Sequence, residues 1–254
     1  MINWAEWTML TYVLMRMSGF IFLNPLLGRT NVPSYVKAGI TIVLTVAMLP
    51  LVPQTVAVPT SLIVYALRLL MEFAVGYVVG FVTSLFFYII AMAGEVIDMQ
   101  MGLNMSKIYD PSSNISLSSV SSLLNVLFIL LFFEANGHQT LIRLMMTSGD
   151  IIPFGAVAFG EQLPQSIFTL FCTCTEMGVK LAFPIFAAEF LGEVGMGVLM
   201  KTIPQINVFS VNIELKILVG LILLLLMFYP MGDFIYGMGS DMLAEIQRQL
   251  TLLR

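Results

Sequence analysis

Charge is what this sequence has least of. Lysine and arginine number 11, aspartate and glutamate 15, together 10% of 254 residues; soluble domains carry about 25%. The net charge of −4 leaves no basic surface on which a nucleic-acid backbone is recognised. Two cysteines are too few for a disulfide scaffold. Cys172 and Cys174 stand two apart in a helical stretch and point to nearly opposite sides, which fits packing and not metal ligation. The lone histidine, His138, follows an Asn-Gly pair. It fits a satisfied loop residue better than a proton relay. There is no nucleophile–base set, no Gly-rich phosphate loop and no cluster at metal-ligand spacing. An enzyme, a metal centre and a bound cofactor are therefore not expected.

Apolar residues fill the space that charge vacates. They make up 59% of the chain, and the mean hydropathy is +0.96. Runs of roughly 20 apolar residues recur, the length that spans a bilayer as helix. Transmembrane strands leave short alternating segments instead. The expected class is an all-α, multi-helix membrane protein, one helical membrane domain over residues 1–254. Residues 1–11 lack a positive n-region, so the first run is expected to be a retained helix and not a cleaved signal. Lipid is thus the first expected partner.

The runs differ in length. Residues 7–23 form the first, interrupted by Arg16, and a turn-rich loop follows. Residues 38–51 form a second, short for a full span. Residues 61–101 carry no turn signal; as one helix they measure about 60 Å at 1.5 Å per residue, against a hydrocarbon core of about 30 Å. A long kinked helix or a bent hairpin near Gly76, Gly80 and Thr83-Ser84 is expected. Residues 102–118 are polar and irregular. Residues 120–133 form another helix, with Gly137 suited to its C-terminal end, and residues 141–146 a short helical piece. Residues 148–165 read as a loop. Residues 166–201 are again too long for one crossing, with a kink expected at Pro184. Residues 202–215 read as irregular, and residues 216–229 as a helix stopped by Pro230. In the tail, residues 233–254, Ile235, Met238, Met242, Ile246 and Leu250 share one face, as in an amphipathic interfacial or partner-binding helix.

Charges inside these runs need partners, because each costs roughly 2.5–3.5 kcal/mol at the bilayer centre. Arg68 and Glu72 lie four apart on one helix face, as do Glu176 and Lys180, and each pair is expected to neutralise itself. Glu95, Asp98 and Gly102 share a face with no basic neighbour in the helix. They are either solvated beyond the lipid or in contact with a channel, a gate or a basic partner. Glu189 and Glu193 form a second acidic face beside Met196 and Met200. The 19 methionines serve as core filler or as adaptable sealing surface. Gly76-Tyr77-Val78-Val79-Gly80 fits a close helix-packing motif. Gly94-Glu95-Val96 and Gly192-Glu193-Val194 echo one another near the ends of the two long runs, as repeats in transporters do. An ion-coupled secondary transporter using Glu95, Asp98 or Glu193 is one functional reading, and a purely structural membrane scaffold is another.

An ordered set of residues supplies a third. Gly94-Glu95, Asp98, Gln100-Met101-Gly102 and Asp110-Pro111, then Phe133 and Asn136-Gly137-His138, resemble the FliR/SctT family of type III export-gate subunits. Arg29, Val32-Pro33, Lys37-Ala38-Gly39 and Pro204-Gln205-Ile206-Asn207-Val208-Phe209 are similar to the same family. Where the family commonly has a Gly-Phe-Pro-type stretch, this chain has Ser210-Val211-Asn212-Ile213-Glu214. The resemblance implies a subunit of a protein export gate in the bacterial inner membrane, at the flagellar basal body or, as the counterpart, in an injectisome. It implies FliP-type and FliQ-type subunits as pore-forming partners, FlhB-type and FlhA-type proteins as cooperating ones, and unfolded exported proteins as cargo. It also implies bent hairpins stacked against partner helices. Residues 102–118 are then the candidate plug. Glu95, Asp98, Gln100, Met101, Asp110 and Pro111 are the candidate pore and gate residues. Gly76, Gly80, Glu189, Glu193, Glu214 and Lys216 are the candidate subunit contacts.

Overall fold

The structure, a computed structural model, describes residues 4–28, 32–52, 59, 61–104, 118–158, 160–202 and 208–253. Among them are seven α-helices and no strand: α1 Trp4–Leu23, α2 Ser34–Met48 with a 3-10 turn Leu49–Leu51, α3 Leu62–Gln100, α4 Ser119–Glu134, α5 Gly137–Ile151, α6 Gln162–Thr202 and α7 Val208–Leu252. Four are long and apolar enough to cross a membrane: α2 with its 3-10 turn, α3, α6 and α7. The architecture is all-α, as the composition requires.

Some helix boundaries differ from the sequence expectation, though the run over residues 61–101 takes the long-helix form of the two expected and does not fold back; it is one helix of 39 residues. Thr83 Oγ1 donates 2.9 Å to Val79 O, so its hydroxyl is satisfied on the helix itself and provides no turn. Pro230 does not stop the last apolar helix, which continues through it for 45 residues in all, and Pro184 likewise lies inside the 41-residue α6. A proline inside a membrane helix is tolerated where neighbouring groups satisfy the freed carbonyl. Finally, the left-handed residue after α4 is Asn136 (φ 55°) and not Gly137, which begins α5. Asparagine is among the few non-glycine residues that adopt this conformation readily. Helix α5 then extends past the short piece expected, to Ile151.

The apolar stripe of the C-terminal segment is present: Ile235, Met238, Met242, Ile246 and Leu250 are each at most 1% exposed. It is covered by this chain's own residues, not left open to an interface or a partner. Gln249, on the same segment, is buried and donates 2.7 Å to Ser166 Oγ.

The chain divides into two compact units: Met1–Phe86, Asn136–Phe171 and Ser240–Arg254 in the first; Phe87–Ala135 and Cys172–Gly239 in the second. The first unit is built on α1 against the N-terminal part of α3. Lipid tails are as apolar as leucine, so burial alone does not hold membrane helices together; close approach of small residues and interhelical hydrogen bonds do. Both are present here. A side chain at Gly19 would overlap Phe73 O, one at Gly76 would overlap Arg16 O, and one at Gly80 would come within 2.9 Å of Phe20 O. Ser84 Oγ donates to Leu23 O.

The first unit also holds a buried ion pair. Arg16 and Glu72 have fully buried side chains, with Nε 2.7 Å from Oε2. The other carboxylate oxygen accepts from Gly155 N at 2.7 Å. Arg16 Nη1 donates to Ser148 Oγ and Nη2 to Ile152 O, both at 3.1 Å. The guanidinium lies 4.0 Å from the centre of the Phe154 ring. Glu72 is therefore neutralised by Arg16, from another helix, and not by Arg68 one turn away as its spacing suggested. The Glu176–Lys180 pair does form, at 2.7 Å, with both side chains exposed.

Candidate functional site

The second unit contains the junction where α3 ends and α4 begins, and most of the polar residues singled out by sequence gather there. Helix α3 stops in a Schellman motif. Gly102 takes φ +77°, its N–H donates to Met99 O at 3.2 Å, and Leu103 N–H donates to Asp98 O at 3.1 Å. Glycine adopts this left-handed conformation without the Cβ penalty that other residues incur.

Helix α4 starts against the same turn. Ser118 is its N-cap, with Oγ accepting from Ser121 N at 3.1 Å. That hydroxyl also donates to Gly94 O at 3.2 Å. Ser121 Oγ donates to Ala91 O at 2.6 Å. Gly94 lies so close to the Ser121 backbone that no side chain fits between them. Farther along, Phe87 meets Phe128 edge-on, with ring centres 4.9 Å apart.

Asp98 is 1% exposed, so the solvated reading of this residue does not hold. Its Oδ1 accepts from Val120 N at 3.2 Å, while Oδ2 is buried with no hydrogen-bond partner among the described residues. Glu95 is half-buried and accepts from Asn104 Nδ2 at 3.3 Å. Gln100 is half-buried, its amide nitrogen without a partner among the described residues. Met101 is fully buried and packs on Gly220 of α7, its Cγ within 2.5 Å of where a Cβ would stand. Asp110 and Pro111, with the rest of the candidate plug from residue 105 to 117, lie outside the described residues.

Helices α6 and α7 complete the surround. Glu189 is 2% exposed; its Oε1 faces Gly220 and has no hydrogen-bond partner among the described residues. Glu193, one turn on, pairs with Lys216 at 2.9 Å. Glu214 is exposed. A cleft of about 370 Å³ is lined by Met99, Gly102, Asn104, Glu193, Asn212 and Lys216, among others. Of the candidate subunit contacts, Glu189, Glu193 and Lys216 thus lie close to the end of α3, beside Met99, Met101 and Gly102. Gly76 and Gly80 belong to the first unit, where they are occupied by α1 of the same chain. The Gly-Glu-Val echo is not a structural equivalence, for Gly192 has open space where Gly94 has Ser121.

Sequence reasoning did not single out Ser118, Ser121 or Gly220, and it missed the packing role of Gly94. Two signals were there to find: the serine-rich run Ser118 to Ser122, with its surplus of N-cap residues, and a single glycine inside the most apolar run. Chemically the site offers acceptors. Buried polar atoms are nearly always hydrogen-bonded, so Asp98 Oδ2 and Glu189 Oε1 leave capacity for a donor from elsewhere. Among the described residues no group of three acidic, histidine or cysteine side chains is placed to hold a metal ion.

The apolar surface is equally unbalanced. Within its most apolar window α3 is 67% buried, whereas α6 and α7 are each 17% buried. Phe183, Phe190, Leu191, Val198, Leu225 and Leu226 all stand exposed.

Comparison with known proteins places this geometry in context. The sequence model described as "Bacterial export proteins, family 1" matches residues 7–241. The flagellar biosynthetic protein FliR of Escherichia coli (strain K12) is 27% identical over 259 residues, covering 99% of this chain and 97% of that protein. The protein of the same name from Bacillus subtilis (strain 168) is 28% identical over 223 residues, covering 84% and 83%. That of Aquifex aeolicus (strain VF5) is 27% identical over 214 residues, covering 83% and 81%.

Proposed function

The chain belongs to the bacterial export proteins, family 1, and on that premise we propose that it is a subunit of the flagellar protein export gate. In this reading it forms part of the pore through which unfolded flagellar proteins cross the bacterial inner membrane at the basal body. FliP-type and FliQ-type subunits assemble with it, and FlhB-type and FlhA-type proteins cooperate. The observation that carries the reading is the family match along nearly the whole chain, in line with relatives named for flagellar biosynthesis.

The physical features support it. Helices of 39, 41 and 45 residues measure about 58–68 Å at 1.5 Å per residue, twice the hydrocarbon thickness of about 30 Å. Their excess length has to be sheltered by protein or stand out of the lipid. The bare apolar faces of α6 and α7 are suited to partner helices, and Glu193, Glu214 and Lys216 supply polar contacts at the same end. The α3–α4 junction, with Glu95, Asp98, Gln100 and Met101, forms the base of the plug, and residues 102–118, with Asp110 and Pro111, the plug itself. An ion-coupled transporter finds no such support, because its repeat signal dissolves once Gly94 and Gly192 are seen in place.

Native mass spectrometry of the detergent-extracted protein tests the assembly. Hydrophobic helical partners in fixed ratio are expected; a homogeneous species of this chain alone that binds a small substrate would sink the proposal. Deleting residues 104–114 tests the plug. Ion leakage should rise several-fold while the complex still assembles, and unchanged leakage with normal assembly would count against it.

A further inference from the structure

We infer that Asp98 is a positioning residue that locks the end of α3 to the start of α4 by accepting a hydrogen bond, and that it does not act as a pore-facing charge. Its backbone and its side chain do different things at one place. The carbonyl oxygen receives Leu103 N–H at 3.1 Å and so closes the Schellman motif of α3. The Oδ1 atom receives Val120 N–H at 3.2 Å. Val120 is the second residue of α4, and the N–H groups of a first helical turn have no partner within their own helix. Ser118 serves the next one, Ser121 N–H. Between them, Asp98 and Ser118 satisfy two consecutive donors of α4.

The rest of the junction fits a lock. Ser118 and Ser121 each return a hydroxyl hydrogen bond to α3, at Gly94 O and Ala91 O. Gly94 admits the Ser121 backbone where a side chain would exclude it. Asp98 is 1% exposed, so its charge is not presented to a passing chain.

Acceptor and charge are separable by substitution. Asp98→Asn keeps an oxygen at the Oδ1 position and removes the charge. Asp98→Glu keeps the charge and moves the oxygens one methylene away. Asp98→Ala removes both. The inference rests on the export-gate reading only for its functional consequence, so the structural readout is taken separately. In the intact complex with its membrane partners, amide hydrogen exchange is followed on peptides covering residues 118–123. Potassium efflux is followed from vesicles containing the same complex.

Exchange at Val120 is expected to rise about tenfold in Asp98→Ala and Asp98→Glu and to stay within twofold of the parent in Asp98→Asn. Efflux should follow the same order. Parental exchange in Asp98→Ala overturns the lock. A defective Asp98→Asn beside a normal Asp98→Glu overturns it as well, because charge would then be the property that matters; this contrast stands even if the alanine variant fails to assemble. If exchange follows the expected order but efflux changes only when residues 104–114 are deleted, the lock has no part in sealing, and its functional half is overturned while the gate reading stands. If that deletion leaves efflux unchanged, it is the gate reading that fails, and the exchange order alone judges the lock.

Discussion

The two units treat buried charge in opposite ways. In the first, Glu72 has both oxygens occupied, and Arg16 donates to three acceptors beneath an aromatic ring. In the second, Asp98 and Glu189 are as deeply buried, yet each keeps one oxygen without a hydrogen-bond partner among the described residues. The apolar surfaces differ in parallel, for the second unit carries most of the bare faces of α6 and α7. A membrane protein that folds alone satisfies its polar groups internally, because lipid cannot do so. The first unit meets that requirement at its ion pair. The second does not: one oxygen of each acid is buried without a hydrogen-bond partner among the described residues, and the exposed apolar surface of α6 and α7 lies mostly there.

The largest effect that would break this comparison lies in the first unit. Arg16→Ala or Glu72→Ala strands a buried charge, a loss of about 3–5 kcal/mol. Abundance in the membrane fraction should fall steeply. The double replacement Arg16→Met with Glu72→Met should recover much of it, since a buried pair exchanged for apolar residues of similar volume is often neutral. A double variant no better than the singles would mean that the pair does more than neutralise itself.

Next comes the α1–α3 contact. Gly76→Leu drives a side chain into the Arg16 carbonyl and should lower the melting temperature of the purified complex by several degrees. Gly192→Leu, facing open space, should leave the isolated chain unaffected and disturb only partner binding. Equal tolerance at both positions would erase the distinction drawn between the units.

Glu189→Leu is a sharper probe of the second unit. If its free oxygen awaits a partner, abundance of the chain should hold within about twofold while co-purified partners drop several-fold, read by quantitative mass spectrometry. A loss of the chain itself would assign Glu189 to internal packing. The smallest effect belongs to Lys180→Ala: its pair with Glu176 is exposed on both sides, solvent screens such pairs so that they contribute little, and swimming and abundance should be unchanged.

Much of the fold was legible in residue order. Helix type, the over-long runs and the buried stripe from Ile235 to Leu250 follow from hydropathy and a period of about 3.6 residues, which are local properties. The break between α4 and α5 was legible too, though the left-handed seat fell to Asn136 and not to its glycine neighbour. Of the candidate site, the acidic residues could be singled out, because charge in an apolar run needs a reason. Their roles could not be. Spacing offered Arg68 as the partner of Glu72, but Arg16 lies on another helix, 56 positions away in sequence. Pro230 misled for a similar reason: whether it ends a helix depends on the groups around the freed carbonyl, not on the proline.

The sequence by itself determined that this chain is helical, membrane-embedded and poor in charge, because apolar content and periodicity act residue by residue. Only the tertiary structure decided which charges are answered and which are left open. Asp98 and Glu72 are both acids in the same long apolar helix. One caps α4 with a single oxygen and the other has its two oxygens taken by Arg16 and by Gly155 N–H, because hydrogen bonding depends on which distant groups come within about 3 Å, and no local pattern records that.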